Sequence, residues 1–291
     1  MSNQSDVVEA VLETVTTTAA HIKDGLAERR NKVETDNPSG ETPFEADVWA
    51  DEVFAERLTA IDGISQYASE ERQNVLEPDD EYEAAGEGYS IAIDPLDGSS
   101  NLESNNPVGT VFGLYDGLLP ADGREMVAAG YVLYGPLTTL VMATEGTVTE
   151  YEISDGKRTV LTEDVQIPDE PAVYGFGGRV PDWTEAFTGY VRELEQAYKL
   201  RYGGAMMADV SQVLNYGGIF GYPGLRNQPE GKLRAQFETF PIAFIVETAG
   251  GRSSSGDGPL LDVSGTDIHQ RTPLFVGNTK LIERLEAALA E

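Results

Sequence analysis

The chain contains no cysteine and only two histidines, His21 and His269. The first absence removes disulfides, thiol nucleophiles and thiolate metal sites together. The second removes a zinc site built on several imidazoles and leaves a Ser-His-Asp triad little to draw on. Positive charge is also scarce: 20 Lys+Arg face 50 Asp+Glu over 291 residues, a formal net charge of −30. Nucleic acid and anionic membrane surfaces are polyanions, so neither is an expected partner. No apolar run approaches the ~18 residues that span a bilayer, and Met1–Asp6 is polar rather than signal-like, so the chain reads as soluble and cytoplasmic. Only six of the basic residues are lysines, and the acidic residues are spread along the whole chain. That pattern fits a protein from a high-salt cytoplasm. At about 1 M salt the Debye length is roughly 3 Å, and the self-repulsion of such a surface is screened.

With 40% hydrophobic and 9% aromatic residues, the chain has enough apolar material for a folded core. A 3.6-residue period over 6–29 predicts a first helix with Val7, Val11, Val15, Ile22 and Leu26 on one stripe. Thr42-Pro43-Phe44-Glu45 predicts the start of a second helix, with Thr42 as N-cap and Glu45 completing a capping box. Its expected buried face is Val48, Trp49, Val53, Phe54 and Leu58, with Asp47 and Asp51 on another face. A strand is expected over 89–93, ending at Asp94-Pro95. Further strands are expected near 108–115, 125–134, 137–144 and 147–152. Helices are expected over 182–199, 205–216, 241–249 and 278–290, two of them closed by Gly217-Gly218 and Gly250-Gly251 and the last capped by Asn278. Pro168 and Pro171 bracket a boundary. The expected architecture is mixed α/β with two α/β subdomains, 1–165 and 166–291.

Asp94-Pro95-Leu96-Asp97-Gly98-Ser99-Ser100-Asn101 is the segment richest in chemistry. Two carboxylates three residues apart, with the Leu96 carbonyl between them, form an all-oxygen donor set suited to a hard cation such as Mg²⁺. Gly98, Ser99 and Ser100 add backbone N–H groups and hydroxyls that can hold a phosphate. Together these make a phosphoryl-transfer layout; the alternative is an Asp-rich turn with a capping serine. Glu70-Glu71, taken alone, reads as solvated surface. Lys232, Arg234 and Glu238 alternate as on one face of a strand, which either holds an anion beside a metal or is a surface strand with a salt bridge. Three common motifs are absent. Arg226 stands where a P-loop needs its first glycine, Val180 where a dinucleotide fingerprint beginning at Gly175 needs its last, and no Gly-x-Ser-x-Gly elbow occurs.

The octapeptide Asp94–Asn101 resembles the signature of the metal-dependent, lithium-sensitive sugar phosphatases. The finer resemblance is to the class I fructose-1,6-bisphosphatases. It rests on Ser69-Glu70-Glu71, Arg201-Tyr202, Ala208-Asp209-Val210, Tyr216–Phe220 with Tyr222-Pro223, Gly231–Arg234 with Glu238, and Thr266–Arg271, in family order across 40–277. The resemblance implies a layered αβαβα fold and hydrolysis of the 1-phosphate of fructose 1,6-bisphosphate in gluconeogenesis. It implies two or more Mg²⁺ per subunit, with Mn²⁺ as the alternative ion, on Glu70, Asp94, Leu96 (carbonyl), Asp97 and Glu238. Asp47 and Glu71 would order and deprotonate water, and Glu41 would be a further acidic loop residue. Asp97, Gly98, Ser99 and Ser100 would hold the 1-phosphate. Tyr202, Tyr222 and Lys232 would bind the 6-phosphate end, and Arg201 would reach a neighbouring subunit's 6-phosphate, in at least a dimer and by family a homotetramer. Arg234 would sit beside the metals. Gly177 stands where the family has an asparagine on the 6-phosphate. No AMP loop follows the first helix, so the resemblance does not extend to AMP inhibition, and the cysteine insertion of the chloroplast enzymes is missing. The competing functions are an inositol monophosphatase-like or other sugar phosphatase, and a non-catalytic metal- or phosphate-binding protein on the same fold.

Overall fold

The computed structural model describes residues 3–34, 37, 38, 40, 42–77 and 88–290. Two helices open the chain, α1 (Gln4–Gly25) and α2 (Glu45–Leu58). A seven-stranded sheet follows in sequence order: β1 (Ile64–Ser69), β2 (Tyr89–Asp97), β3 (Val108–Asp116), β4 (Met126–Tyr134), β5 (Thr138–Thr144), β6 (Thr147–Ser154) and β7 (Lys157–Thr162). A short helix α3 (Asn101–Ser104) interrupts the path from β2 to β3. The β1–β2 pair is parallel and the others are antiparallel. The second sheet contains β8 (Val173–Phe176), β9 (Lys199–Leu200), β10 (Gly218–Tyr222), β11 (Arg252–Ser254) and β12 (Leu274–Gly277), in the order β11-β12-β10-β8-β9. The helices of this half are α4 (Glu185–Leu194), α5 (Met206–Tyr216), α6 (Phe240–Thr248) and α7 (Thr279–Leu289).

Three apolar clusters stack these elements. The stripe of α1 and the buried face of α2 cover one side of the large sheet, against Ile91, Ile93, Phe112, Leu114 and Val132. The opposite side, with Val111, Tyr115, Tyr131 and Val141, packs on α5 and α6, which in turn cover Val173, Phe220, Leu274 and Val276 of the second sheet. Beyond that sheet, α4 and α7 bury Phe187, Val191, Ile282 and Leu285 on Phe176, Ile219 and Phe275. This is the expected αβαβα layering. Strands covered on both faces read as continuous apolar runs, which is why β3 and β4 stand out in the sequence.

Several local expectations are corrected. Helix α2 begins at Glu45, not Thr42, because residues 43–45 pair with the preceding loop: Val33 N donates to Pro43 O (3.0 Å) and Glu45 N to Asn31 O (2.8 Å). Asp47 rather than Glu45 reaches back, its Oδ2 accepting from Phe44 N at 2.6 Å. The buried face also differs from the expected one: Phe54 and Leu58 are buried as expected, but so are Asp47 and Asp51, while Val48 is 36% exposed and Trp49 and Val53 are half-buried. The first strand after α2, β1, was not expected at all. Strand β2 runs on through Pro95 to Asp97, with the register against β3 shifting between Asp94 and Asp97. Strand β7 was also missed. Helix α4 ends at Leu194, and Lys199–Leu200 joins the second sheet beside β8. Lys232–Glu238 forms no strand: residues 231–234 are a loop and Ala235–Thr239 is a π-helical turn leading into α6. Among the described residues, no helix is long and apolar enough to cross a membrane.

Candidate active site

The parallel pairing of β1 with β2 creates the site. Ser69 lies opposite Ile93, and Glu70 N donates to Ile93 O at 3.1 Å, so Glu70, just past the end of β1, stands beside Asp94, at the register shift of β2. Ligands of open α/β sheets gather at such strand ends. The shift in β2 then turns Asp97 into the same space. Asp94 Oδ1 accepts from Leu96 N (2.9 Å), and Asp97 Oδ2 accepts from Met207 N (3.0 Å) in the first turn of α5. Glu238 comes from the second half of the chain: its Oε2 accepts from Arg234 N at 2.7 Å, a bond the π-helical turn makes possible. Ligand oxygens of Glu70, Asp94 and Glu238 all lie within 4.8 Å of one another.

These groups line a cleft of about 380 Å³. Asp47, Glu70, Glu71, Asp94, Leu96, Asp97, Gly98, Ser99, Ser100, Tyr222, Lys232, Arg234 and Glu238 all border it, so the structure brings together most of the residues picked out from the sequence. Burial first, and neighbouring carboxylates second, push Asp94 and Glu238 well above the usual carboxylate range. Asp97 rises to about 7, chiefly through burial, against the lowering bond from Met207. Glu71 rises to about 8 through burial, Asp47 and Glu70, although Asn37 Nδ2 donates to its Oε1 at 3.1 Å. Arg234 is only 2% exposed; its guanidinium donates to Lys232 O (2.6 Å) and lies 3.4 Å from Glu70 Oε1.

Gly98 has φ +72°, and a Cβ there would lie 2.5 Å from Ala205 Cβ, so the turn both needs the left-handed conformation and abuts the start of α5. Asn101 Nδ2 donates to Pro107 O (2.9 Å) and Gly203 O (3.0 Å), joining this turn to the 203–204 loop, whose Gly203 N is held by both oxygens of Asp209 (2.8 and 3.0 Å). Tyr202 and Tyr222 hydroxyls are 3.0 Å apart, but Tyr202 is 46% exposed and does not border the cleft. Arg201 is also exposed and outside it; its backbone N donates to Tyr174 O at 2.8 Å. A Cβ at Gly177 would sit 2.2 Å from the Tyr222 ring, so that ring fills the space a side chain at 177 would need. Glu41 lies outside the described residues.

Sequence reasoning missed Lys32, Asn37 and Thr42, which border the cleft from the loop between α1 and α2. In a chain with six lysines, Lys32 was itself a signal. It gave no role to the buried Asp51 or to the half-buried His269, although His269 lies within the Thr266–Arg271 block.

Residues 4–162 match the family described as fructose-1-6-bisphosphatase, N-terminal domain, and residues 167–290 match fructose-1-6-bisphosphatase, C-terminal domain. A class 1 fructose-1,6-bisphosphatase of Natronomonas pharaonis is 57% identical over 98% of this chain and 99% of its own length. The chain belongs to the class 1 fructose-1,6-bisphosphatase family. Another class 1 fructose-1,6-bisphosphatase, from Halobacterium salinarum, is 54% identical over 99% of each chain. Both relatives come from halophilic archaea, as the acidic composition leads one to expect. The crystal structure of Leishmania major fructose-1,6-bisphosphatase in its holo form superposes with a TM-score of 0.92 at 28% identity, covering 99% of this chain and 96% of that one. The family is metal-dependent, and the cluster of Glu70, Asp94 and Glu238 is where an ion can be held.

Proposed function

We propose that this enzyme hydrolyses the 1-phosphate of fructose 1,6-bisphosphate, giving fructose 6-phosphate and phosphate, with Mg²⁺ in the carboxylate cluster. The observation that carries the reading is the convergence of Glu70, Asp94 and Glu238 beside Asp97 and the Gly98–Ser100 turn. The donor set fits a hard divalent cation. Asp94, Asp97 and Glu238 are buried like charges held above their usual range, and a cation is what would let them ionise together. Glu70, Asp94, Asp97, Glu238 and the Leu96 carbonyl would hold two or more Mg²⁺ per subunit; Mn²⁺ accepts the same oxygens. Bound Mg²⁺ supplies Lewis-acid stabilisation of the phosphoryl oxygens and lowers the pKa of nearby water.

The chain's own residues do the rest. Backbone N–H groups of Gly98–Ser100 and the serine hydroxyls cradle the scissile phosphate, with Asp97 at its edge. Asp47, fixed by Phe44 N, and Glu71, beside Asn37, orient the attacking water and take its proton. The water oxygen bonds to phosphorus as the bond from phosphorus to the C1 oxygen breaks; that oxygen takes a proton from solvent and leaves as the hydroxyl of fructose 6-phosphate, while the carboxylates return the proton taken from the attacking water to solvent. Lys232, Tyr222 and Tyr202 would receive the sugar and its 6-phosphate. Arg201, exposed outside the cleft, suits a contact with a neighbouring subunit's 6-phosphate, consistent with a homotetramer or at least a dimer. The division at 165/166 would leave phosphate chemistry to the first half and sugar recognition to the second, with Glu238 crossing over. The acidic surface supports a place in a high-salt cytoplasm.

The test is phosphate release with Mg²⁺ from fructose 1,6-bisphosphate against inositol 1-phosphate. The bisphosphate should be strongly preferred, because only it engages Lys232 and the tyrosines. Asp97→Asn should lower kcat by at least about 10²–10³-fold. Near-normal turnover of Asp97→Asn, or equal use of inositol 1-phosphate, refutes the reading.

A further inference from the structure

Behind the cleft, Arg72 has no part in the hydrolysis just described. It follows Glu70 and Glu71 directly and does not border the cleft. Its Nε lies 2.6 Å from Asp51 Oδ2. Asp51 is 4% exposed and sits one helical turn after Asp47 on α2. The other Asp51 oxygen accepts from the hydroxyl of Tyr67, a fully buried residue of β1, at 2.9 Å. At its backbone end, Arg72 O lies 2.9 Å from His269 Nε2. A carbonyl only accepts, so the imidazole donates from Nε2. The His269 ring leans on Phe237, with centroids 5.4 Å apart. Its segment is stitched to the Lys232–Glu238 region by Ala235 N to Gln270 O (2.7 Å) and Thr272 N to Leu233 O (3.1 Å).

Asp47, Glu70-Glu71 and Glu238 come from three distant stretches of chain and belong to no single rigid element. Arg72 reaches all three stretches at once: its side chain forms an ion pair with Asp51 on the helix of Asp47, its carbonyl accepts from His269, whose segment is bonded to the stretch leading to Glu238, and it follows the two glutamates directly in sequence. We propose that Arg72 is a positioning residue, which through Asp51 and His269 fixes the spacing of Glu70 and Glu71 from Glu238 and Asp47. The proposal rests on the reading that these carboxylates hold metal and handle water. Groups behind a metal site orient the ligands and are worth as much as 10–100-fold in affinity or activity. A catalytic constellation also works only when held to within roughly 0.5 Å.

The experiment is a Mg²⁺ titration of activity at high salt, with a parallel Mn²⁺ titration of the substrate-free enzyme followed by proton relaxation. In Arg72→Ala, the half-saturating concentration of both ions should rise at least about tenfold. KM for fructose 1,6-bisphosphate at saturating Mg²⁺ should stay within about twofold, since Arg72 does not face the substrate. Asp51→Asn should give the same displacement, and the double variant should add little to either alone, because both act through one contact. Arg72→Lys, which keeps a cation facing Asp51, should recover most of the metal affinity. A simple structural ion pair would instead lower the unfolding midpoint of Arg72→Ala and leave both metal titrations at wild-type values; that result overturns the proposal. Should Arg72→Ala not fold, Arg72→Lys and Asp51→Asn carry the same titrations, and wild-type metal affinity in Asp51→Asn overturns it equally. Failure of the hydrolysis reading is distinguishable: the wild-type enzyme would then release no phosphate from the bisphosphate, while the Mn²⁺ titrations would still report on Arg72.

Discussion

Removing the metal should make the stability of this protein fall as pH rises through neutrality, the reverse of an ordinary acidic protein. Glu71 titrates near 8 in the fold, against 4.5 when unperturbed. Between those values the unfolded chain has released a proton that the folded chain keeps, so raising the pH favours unfolding. Each such group costs about 1.4 kcal/mol per pH unit. From pH 6.5 to 8 Glu71 alone accounts for about 2 kcal/mol, and Asp97, at about 7, adds to the lower part of that window. For a chain of this size that is about 3 °C in Tm. The window is chosen to be clean. Burial holds His269 below its usual value, so it acts in the opposite sense and only below about pH 6.5. The assay is thermal unfolding in about 2 M salt, where surface charges are screened, with a chelator and with excess Mg²⁺ at each pH. With chelator, Tm should fall from pH 6.5 to 8; with Mg²⁺ the fall should vanish or reverse, because metal binding takes the ionised carboxylates. A flat profile in chelator, or the same fall with Mg²⁺, would refute the claim that these buried carboxylates depend on a cation.

Gly98→Ala should lower the unfolding free energy by about 1–3 kcal/mol, because it strains a left-handed residue and drives a methyl against Ala205. It should also weaken inhibition by inorganic phosphate, measured by initial rates; unchanged stability and inhibition would argue against a required left-handed turn. Dialysis below about 0.1 M salt, where the Debye length reaches ~10 Å, should unfold the protein, monitored by far-ultraviolet circular dichroism, because a charge of −30 is then no longer screened. Full retention of structure would show that the acidic surface is not an adaptation to salt.

What could be read in the sequence is what the chain encodes over short distances. The Asp94–Asn101 turn carries its ligands, its glycine and its hydroxyls within eight residues, so its chemistry was visible before any fold was known. The helices α1, α5 and α7 announce themselves by apolar period, and α5 also by the closing Gly217; the expected cap Asn278 precedes α7, but its Oδ1 accepts from Gly218 N (2.6 Å) rather than from the helix. Lys232, Arg234 and Glu238 were grouped correctly for a wrong reason: a strand face and a loop running into a π turn both bring such neighbours together, and sequence spacing does not distinguish them. Strand β1 escaped because Ile64–Ser69 is short and rich in polar residues, and its existence depends on the parallel partner β2. Helix α2 was placed early because the Thr-Pro-Phe-Glu signal is local, whereas pairing of residues 43–45 with 31–33 is not.

The sequence by itself therefore determined the donors and turn of Asp94–Asn101, the character of the surface and the resemblance to the sugar phosphatases, since these are properties of residue type and near neighbours. Only the tertiary structure decided that Glu70 stands beside Asp94, that Glu238 crosses from the second half of the chain to meet them, and that Asp51 meets the side chain of Arg72 while His269 meets its carbonyl. Those contacts join residues scores of positions apart. Their existence depends on strand register and layer packing, in which no single stretch of sequence carries both partners.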